Sequence, residues 1–192
     1  MQALKDKIVK DGRWVGEGIL KVDSFLNHQV DITLMDQIGE YIAQIYQGEQ
    51  IDRVLTAETS GIAIACSVSR ALGGVPMVFA KKNKPITMTD EFYQSMALSF
   101  TKGTSNSFCV SKMYLHEGEK VLIVDDFLAR GESGSALCEI VKSAGAEIVG
   151  YTAVIEKLDQ HGADKIRERY GCKVQSLAII KQVQNGVIDF VD

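Results

Sequence analysis

The sequence predicts an α/β domain organised around a parallel sheet, and three observations carry that expectation. Residues 53–80 and 121–155 each read as strand, turn, helix, strand, and βαβ units of this kind pair their strands in parallel through right-handed crossovers. In the second unit an apolar β-prone run gives way to apolar residues at helical spacing, so the period changes within a few residues. The 192 residues are 46% apolar and 24% charged, which is enough chain and enough apolar surface for one sizeable core.

Residues 2–10 read as a short helix ending near Asp11–Gly12. Residues 13–30 hold Trp14, Ile19, Leu20, Val22, Phe25 and Leu26 without a clear period, so an irregular, partly extended segment is expected there. Asp31 or Thr33 is placed to cap a helix running to about Gln47; Met35, Ile38, Ile42 and Ile45 make its buried stripe and Gly48 its stop. The first βαβ unit has a strand at 53–57, the loop Glu58-Thr59-Ser60-Gly61, a helix at 62–72 closed by Gly73-Gly74, and a strand at 75–80 that tolerates Pro76 at its start. The stretch 81–115 opens with Lys81-Lys82-Asn83-Lys84 and is rich in Thr and Ser. It alternates around 96–100 and 108–110 as a loose hairpin does, and a polar excursion of this length is usually a lid or a disordered loop. From Lys173 onward, short apolar runs flank Asn185-Gly186, a strong hairpin signal.

Composition narrows the function classes. A net charge of -4 gives no global electrostatic case for nucleic acid. No apolar run approaches the length of a membrane span, and the charged, helical N-terminus does not read as a secretory signal. Cys66, Cys109, Cys138 and Cys172 are scattered; Cys66 and Cys138 fall in predicted helices beside apolar residues, so buried free thiols in a reducing cytoplasm are expected. His28, His116 and His161 form no spaced ligand set, so a protein-built zinc site is not expected.

The most informative stretch is 121–133. Val121, Leu122, Ile123 and Val124 lead into Asp125-Asp126, then a short Gly-containing turn, then a helix marked by Ala136, Leu137, Ile140 and Val141 with Gly145 at its cap. Strand, acid pair, tight loop and helix N-terminus together suit a sugar phosphate. Loop and helix amides can hold the phosphate, and the carboxylates can accept from sugar hydroxyls or orient a hydrated divalent metal. Two other readings stand beside it. Acids after a buried strand often only cap a helix or sit in solvent. Receiver domains also carry an apolar strand ending in two acids; there a phosphoacceptor Asp ends a later strand, whereas here the next strand ends in Glu156-Lys157 and too little chain follows for that fold.

These residues resemble the type I phosphoribosyltransferases, and the resemblance covers essentially the whole chain. Val121 to Ser133 is similar to the family's signature for the activated ribose 5-phosphoribosyl 1-diphosphate (PRPP). Glu58-Thr59-Ser60-Gly61-Ile62-Ala63 is similar to its diphosphate loop, and Phe79-Ala80-Lys81-Lys82 to the basic strand end before its flexible lid. The runs 20–29, 99–102 and 154–157 resemble bacterial members that use xanthine. Ala129 stands where hypoxanthine-guanine members carry an Asp, as in adenine- and xanthine-type members, and Arg130 stands where Thr or Asn is usual.

The resemblance implies a Rossmann-like parallel sheet flanked by helices, with a small hood from about 13–30 and 173–192 and a flexible lid at about 83–110. It implies transfer of a phosphoribosyl group from PRPP to xanthine, with Mg²⁺ held mainly by PRPP and water and with no direct protein ligand. Asp125 and Asp126 are then the catalytic acids. Ala129, Arg130, Gly131, Glu132 and Ser133 hold the 5′-phosphate, and Thr59, Ser60, Gly61 and Lys81 the diphosphate. Leu20, Asn27 and Lys157 line the purine pocket. A cytoplasmic homodimer with no nucleic-acid or membrane partner is expected. The alternatives are an adenine or guanine enzyme, or a PRPP-binding regulator without catalysis; such regulators usually add a DNA-binding module, which has no room before Leu20.

Overall fold

The structure, a computed structural model, describes residues 1–15, 19–83, 91–99, 104–184 and 187–191. In chain order the elements are α1 (Gln2–Asp11), β1 (Arg13–Val15), β2 (Ile19–Lys21), a π-helical turn (Asp23–Asn27), α2 (Ile32–Ile45), β3 (Arg53–Ala57), α3 (Gly61–Ala71), β4 (Met77–Lys82), β5 (Phe92–Ser99), β6 (Thr104–Ser111), β7 (Lys120–Leu128), α4 (Glu132–Ser143), β8 (Glu147–Lys157), a 3₁₀ turn (Leu158–Gln160), α5 (Gly162–Tyr170), β9 (Val174–Gln184) and β10 (Val187–Phe190).

Both predicted βαβ units form. β3 and β4 are parallel with Leu55 opposite Val78, and β7 and β8 are parallel with Asp125 opposite Ala153. β3 also pairs in parallel with β7, and β8 with β9, so five parallel strands make the centre of an eight-stranded sheet in the order β10-β9-β8-β7-β3-β4-β6-β5. The polar excursion folds as the antiparallel hairpin β5–β6, which joins the sheet where Lys81 faces Cys109. Parts of the expected lid, at 84–90 and 100–103, lie outside the described residues. So does Asn185-Gly186, although β9 and β10 on either side pair antiparallel.

Local chemistry explains the boundaries. Asp31, rather than Thr33, caps α2: its Oδ1 accepts from the Leu34 N–H at 3.1 Å. Met35, Ile38 and Ile42 are buried as the stripe predicts, while Ile45 is half-buried in the last turn. β4 begins after Pro76, which has no N–H to give but whose carbonyl still accepts from Val54 at 3.0 Å. The segment 13–30 is a short antiparallel ribbon, with Trp14 opposite Leu20, followed by the π-helical turn.

Two apolar clusters sandwich the sheet. On one face α1, α2, α3 and the N-terminal residues Leu20, Val22, Phe25 and Leu26 pack with Val124, Ile155, Leu177 and Ile180. On the other, α4 and α5 pack through Leu137, Ile140 and Ile166 against Ile123, Tyr151 and Ala153. One expectation fails. Cys66 is exposed, not buried, because α3 turns Ile64, Ala65 and Val68 inward and leaves position 66 on its outer side. Cys109 and Cys138 are buried free thiols, and Cys172 is half-buried.

Candidate active site

The strand order reverses between β3 and β7. From β3 the chain proceeds outward to β4, and from β7 it proceeds the other way to β8 and β9, with α3 and α4 on opposite faces. A crevice opens at the carboxyl ends of the two strands at such a point, and ligands bind there in open α/β sheets. The loop after β3 and the loop after β7 flank it.

The second loop is shaped for an anion. Gly131 caps α4 with φ of 76°, a left-handed conformation that a Cβ would strain. Ser135 is the first residue to bond back, to the Gly131 carbonyl at 2.8 Å, so the amides of Gly131, Glu132, Ser133 and Gly134 open the helix with no intrahelical acceptor. Ala129, Glu132 and Ser133 are half-buried. Gly162, at the start of α5, lies directly against this loop: a Cβ there would overlap the Ala129 carbonyl oxygen and come within 2.8 Å of the Gly131 nitrogen. Arg130 is exposed and borders an outer cleft with Glu132, Asp159 and Lys165, whose Nζ lies 3.4 Å from the Arg130 carbonyl oxygen.

The two acids are not equivalent. Asp125 is 5% exposed, and both its oxygens are engaged inside the protein: Oδ1 accepts the Asp126 N–H at 3.0 Å and Oδ2 accepts the Tyr151 O–H at 2.8 Å. Burial pushes the Asp125 carboxyl up to about 8; the adjacent Asp126 charge adds to the rise and the Tyr151 hydrogen bond opposes it. Tyr151 is wholly buried, and desolvation with the Asp125 charge raises its phenol well above the ordinary value. Asp126 is half-buried, and its Oδ1 accepts the Phe127 N–H at 2.9 Å.

On the neighbouring strand, Thr59 is exposed, Ser60 half-buried and Gly61 buried where α3 begins. The loop is tied to the end of β4 at two points: Glu58 donates its N–H to the Ala80 carbonyl at 3.0 Å, and its carboxylate accepts the Lys82 N–H at 2.6 Å. Lys81 therefore sits beside the loop in the backbone. Its side chain lines a groove of about 550 Å³ with Arg53, Phe79, Cys109 and Tyr114.

Lys157 ends β8 one residue beyond the Glu156–Leu128 pair, beside the start of the anion loop, and lies opposite Ile180. It is half-buried, and lost hydration draws its ammonium below the usual lysine value while Asp159 opposes the shift. Leu20 is buried in the same cluster as Ile155 and Ile180, whereas Asn27 is exposed at the end of the π-helical turn. The acid pair, both loops and Lys157 thus stand at the carboxyl ends of β3, β7 and β8; Leu20 packs in the core on one face of the sheet, and Asn27 stands at the surface.

Three residues of this arrangement escape a reading of the sequence alone. Tyr151 is the one aromatic residue of β8, and nothing local says it faces Asp125. Glu58 looks like an ordinary turn acid. Gly162 opens a helix whose Ala163, Ile166 and Tyr170 are spaced for it, but the glycine's neighbour across space comes only from the fold.

Residues 28–190 match the phosphoribosyl transferase domain family. Over 190 residues the chain is 48% identical to a protein of Laribacter hongkongensis called xanthine phosphoribosyltransferase, covering 99% of this chain and 100% of that one. A protein of the same name from Oceanobacillus iheyensis is 46% identical over 190 residues, covering 99% and 97%. Among solved structures, an adenine phosphoribosyltransferase of Rhodothermus marinus superposes with a TM-score of 0.76 at 18% identity, over 94% of this chain and 100% of that one, a likeness of fold.

Proposed function

The chain belongs to the phosphoribosyl transferase family, and on that premise we propose that it transfers the 5-phosphoribosyl group of PRPP to xanthine, giving xanthosine 5′-monophosphate and diphosphate in cytoplasmic purine salvage. The observation that carries the choice of base is identity near one half, over the full length, to relatives named for xanthine.

In this reading the 5′-phosphate lies on the amides from Ala129 to Ser133 at the N-terminus of α4, where backbone donors and the helix dipole favour a dianion. Asp126 presents its carboxylate to the ribose hydroxyls, and Asp125 supports it from below. Thr59, Ser60 and Gly61 donate to the diphosphate. A purine nitrogen forms its bond to the anomeric carbon as the bond from that carbon to diphosphate oxygen breaks. Positive charge develops on the ribose ring, so the Asp126 carboxylate helps by its field and the loops by fixing the reacting atoms.

Lys157 donates to the oxo group at position 6 of the base. An ammonium only donates, so it suits xanthine and not the amino group of adenine. Leu20 and Asn27, from the N-terminal part of the hood, bound the base on its other side. Asp126 is half-exposed, and no group of three or more His, Cys, Asp or Glu gathers among the described residues. The Asp126 carboxylate would hold a hydrated Mg²⁺ brought in on the phosphates of PRPP through the ion's water shell, while Asp125, buried and bonded at both oxygens, would not reach it. When bound, the ion neutralises the departing diphosphate. Lys81 adds its charge to a diphosphate across a homodimer interface, since its groove opens beside exposed Phe79 and Tyr114.

Release of diphosphate from PRPP with Mg²⁺ and xanthine, guanine, hypoxanthine or adenine tests the reading. The highest kcat/KM is expected with xanthine, and turnover of adenine alone contradicts it.

A further inference from the structure

We propose that Tyr151 is a positioning residue of this transfer: through Asp125 it fixes the carboxylate that meets the ribose, and through its ring it sets the distance of α4 from that carboxylate. The inference rests on the proposed reaction and adds to it a residue that does not touch substrate.

A line of hydrogen bonds runs from the interior to the crevice. The Tyr151 O–H donates to Asp125 Oδ2 at 2.8 Å, the Asp126 N–H donates to Asp125 Oδ1 at 3.0 Å, and the Phe127 N–H donates to Asp126 Oδ1 at 2.9 Å. Asp125 is thus held at both oxygens, and the backbone of Asp126 is held in turn. Tyr151 itself is 0% exposed, so whatever its hydroxyl does is done through Asp125. Packing alone does not explain the hydroxyl: a phenylalanine would fill the same space, and a buried O–H is unfavourable unless it is bonded.

The ring of the same residue reaches the other half of the ribose-phosphate site. A Cβ on Gly134, in the first turn of α4, would lie 2.9 Å from Tyr151 Cε2 and 3.0 Å from Cζ. The turn that carries the anion-binding amides therefore rests on the ring whose hydroxyl holds the acid. Ile166 Cδ1 stands nearer still, at 2.6 Å, but of these two neighbours Tyr151 is the one that also reaches the acid, so it links phosphate grip to ribose acid, and misplacement at a reacting centre is costly.

Tyr151→Phe removes only the hydroxyl. The expected result is a kcat lower by about tenfold with the KM for xanthine and the affinity for inorganic phosphate within about twofold of wild type. In an Asp125→Ala background the same change is expected to alter kcat by less than about twofold, because the hydroxyl then has no side chain to act through. Equal losses in the two backgrounds overturn the inference, as does a Tyr151→Phe enzyme with wild-type kcat. A fall in kcat matched by equal losses of phosphate affinity and melting temperature assigns Tyr151 a structural role only and overturns it too. If Tyr151→Phe alone does not fold, Asp125→Ala compared with Asp125→Ala/Tyr151→Phe keeps the test open, since a large difference between those two contradicts the inference. Absence of xanthine turnover by the wild type contradicts the proposed reaction and this inference together, whereas a normal wild type beside a silent Tyr151→Phe contradicts the inference alone.

Discussion

Gly162 and Ala129 touch across the join of two elements: the first residue of α5 lies so close to the anion loop that a Cβ on Gly162 would overlap the Ala129 carbonyl oxygen and stand 2.8 Å from the Gly131 nitrogen. The loop after β7 therefore takes its shape partly from α5, thirty residues further along the chain. At an unconstrained helix position alanine in place of glycine stabilises by up to about 1 kcal/mol. Here Gly162→Ala is expected to do the opposite, lowering stability by about 1–3 kcal/mol through overpacking. Affinity for PRPP should fall with it, since the backbone that grips the phosphate is displaced. Denaturant titration and PRPP binding check both; a more stable variant with unchanged affinity rules out the contact.

The acid pair yields a second prediction from its inequality. Asp126→Asn is expected to lower kcat/KM by about a hundredfold with the fold intact, because it removes the outward charge. Asp125→Asn should cost less, within about tenfold, because that carboxyl is buried and already resists ionisation near neutral pH. The double variant should lose turnover by orders of magnitude. Steady-state kinetics of the three at pH 7 decides the matter, and the reverse ranking contradicts the assignment of inner and outer acid.

Asp125 also makes stability depend on pH in a defined direction. Its carboxyl is raised in the folded protein to about 8 from its ordinary value of 3.8. Between those values the folded chain binds a proton that the unfolded chain does not, so stability falls as pH rises through the window. The contribution is fully present below the unfolded value and is lost above about 8. Lowered carboxyls such as Asp31 and Asp52 act in the acid range below this window. Melting temperatures from pH 5 to 8.5 should decline in the wild type and be flatter in Asp125→Asn; parallel curves would remove Asp125 as the cause.

Lys157→Met keeps most of the apolar stem and removes the donor. A hydrogen bond from a charged donor contributes about 1.5–3 kcal/mol, so the KM for xanthine is expected to rise by tenfold or more. The KM for PRPP should stay close to wild type, because the phosphate and diphosphate loops are untouched. Matched changes in both constants would place Lys157 outside the base pocket.

Much of this architecture is legible in the chain itself. The central strands announce themselves by apolar runs that end in turn residues, and the helices by their spacing, so β3–α3–β4 and β7–α4–β8 fall close to where the sequence puts them. The acid pair and the anion loop are legible because strand, carboxylates, glycine and helix start are contiguous. What is not legible is set by contacts across the sheet. The difference between Asp125 and Asp126 depends on Tyr151, which the register of β7 and β8 brings within 2.8 Å of Asp125. The exposure of Cys66 depends on which face of α3 meets the sheet, and apolar neighbours in sequence do not fix that. The 3₁₀ turn and α5 supply Gly162 to the site, and that contact is made only once α5 folds back against the loop after β7.

The most direct measurement is a crystal structure of the protein with xanthosine 5′-monophosphate. The 5′-phosphate is expected within hydrogen-bonding distance of the amides of residues 130–133, the ribose hydroxyls on Asp126, and the 6-oxo group on Lys157. A nucleotide bound with its phosphate away from that loop, or with Asp126 and Lys157 both without contact to it, contradicts the account.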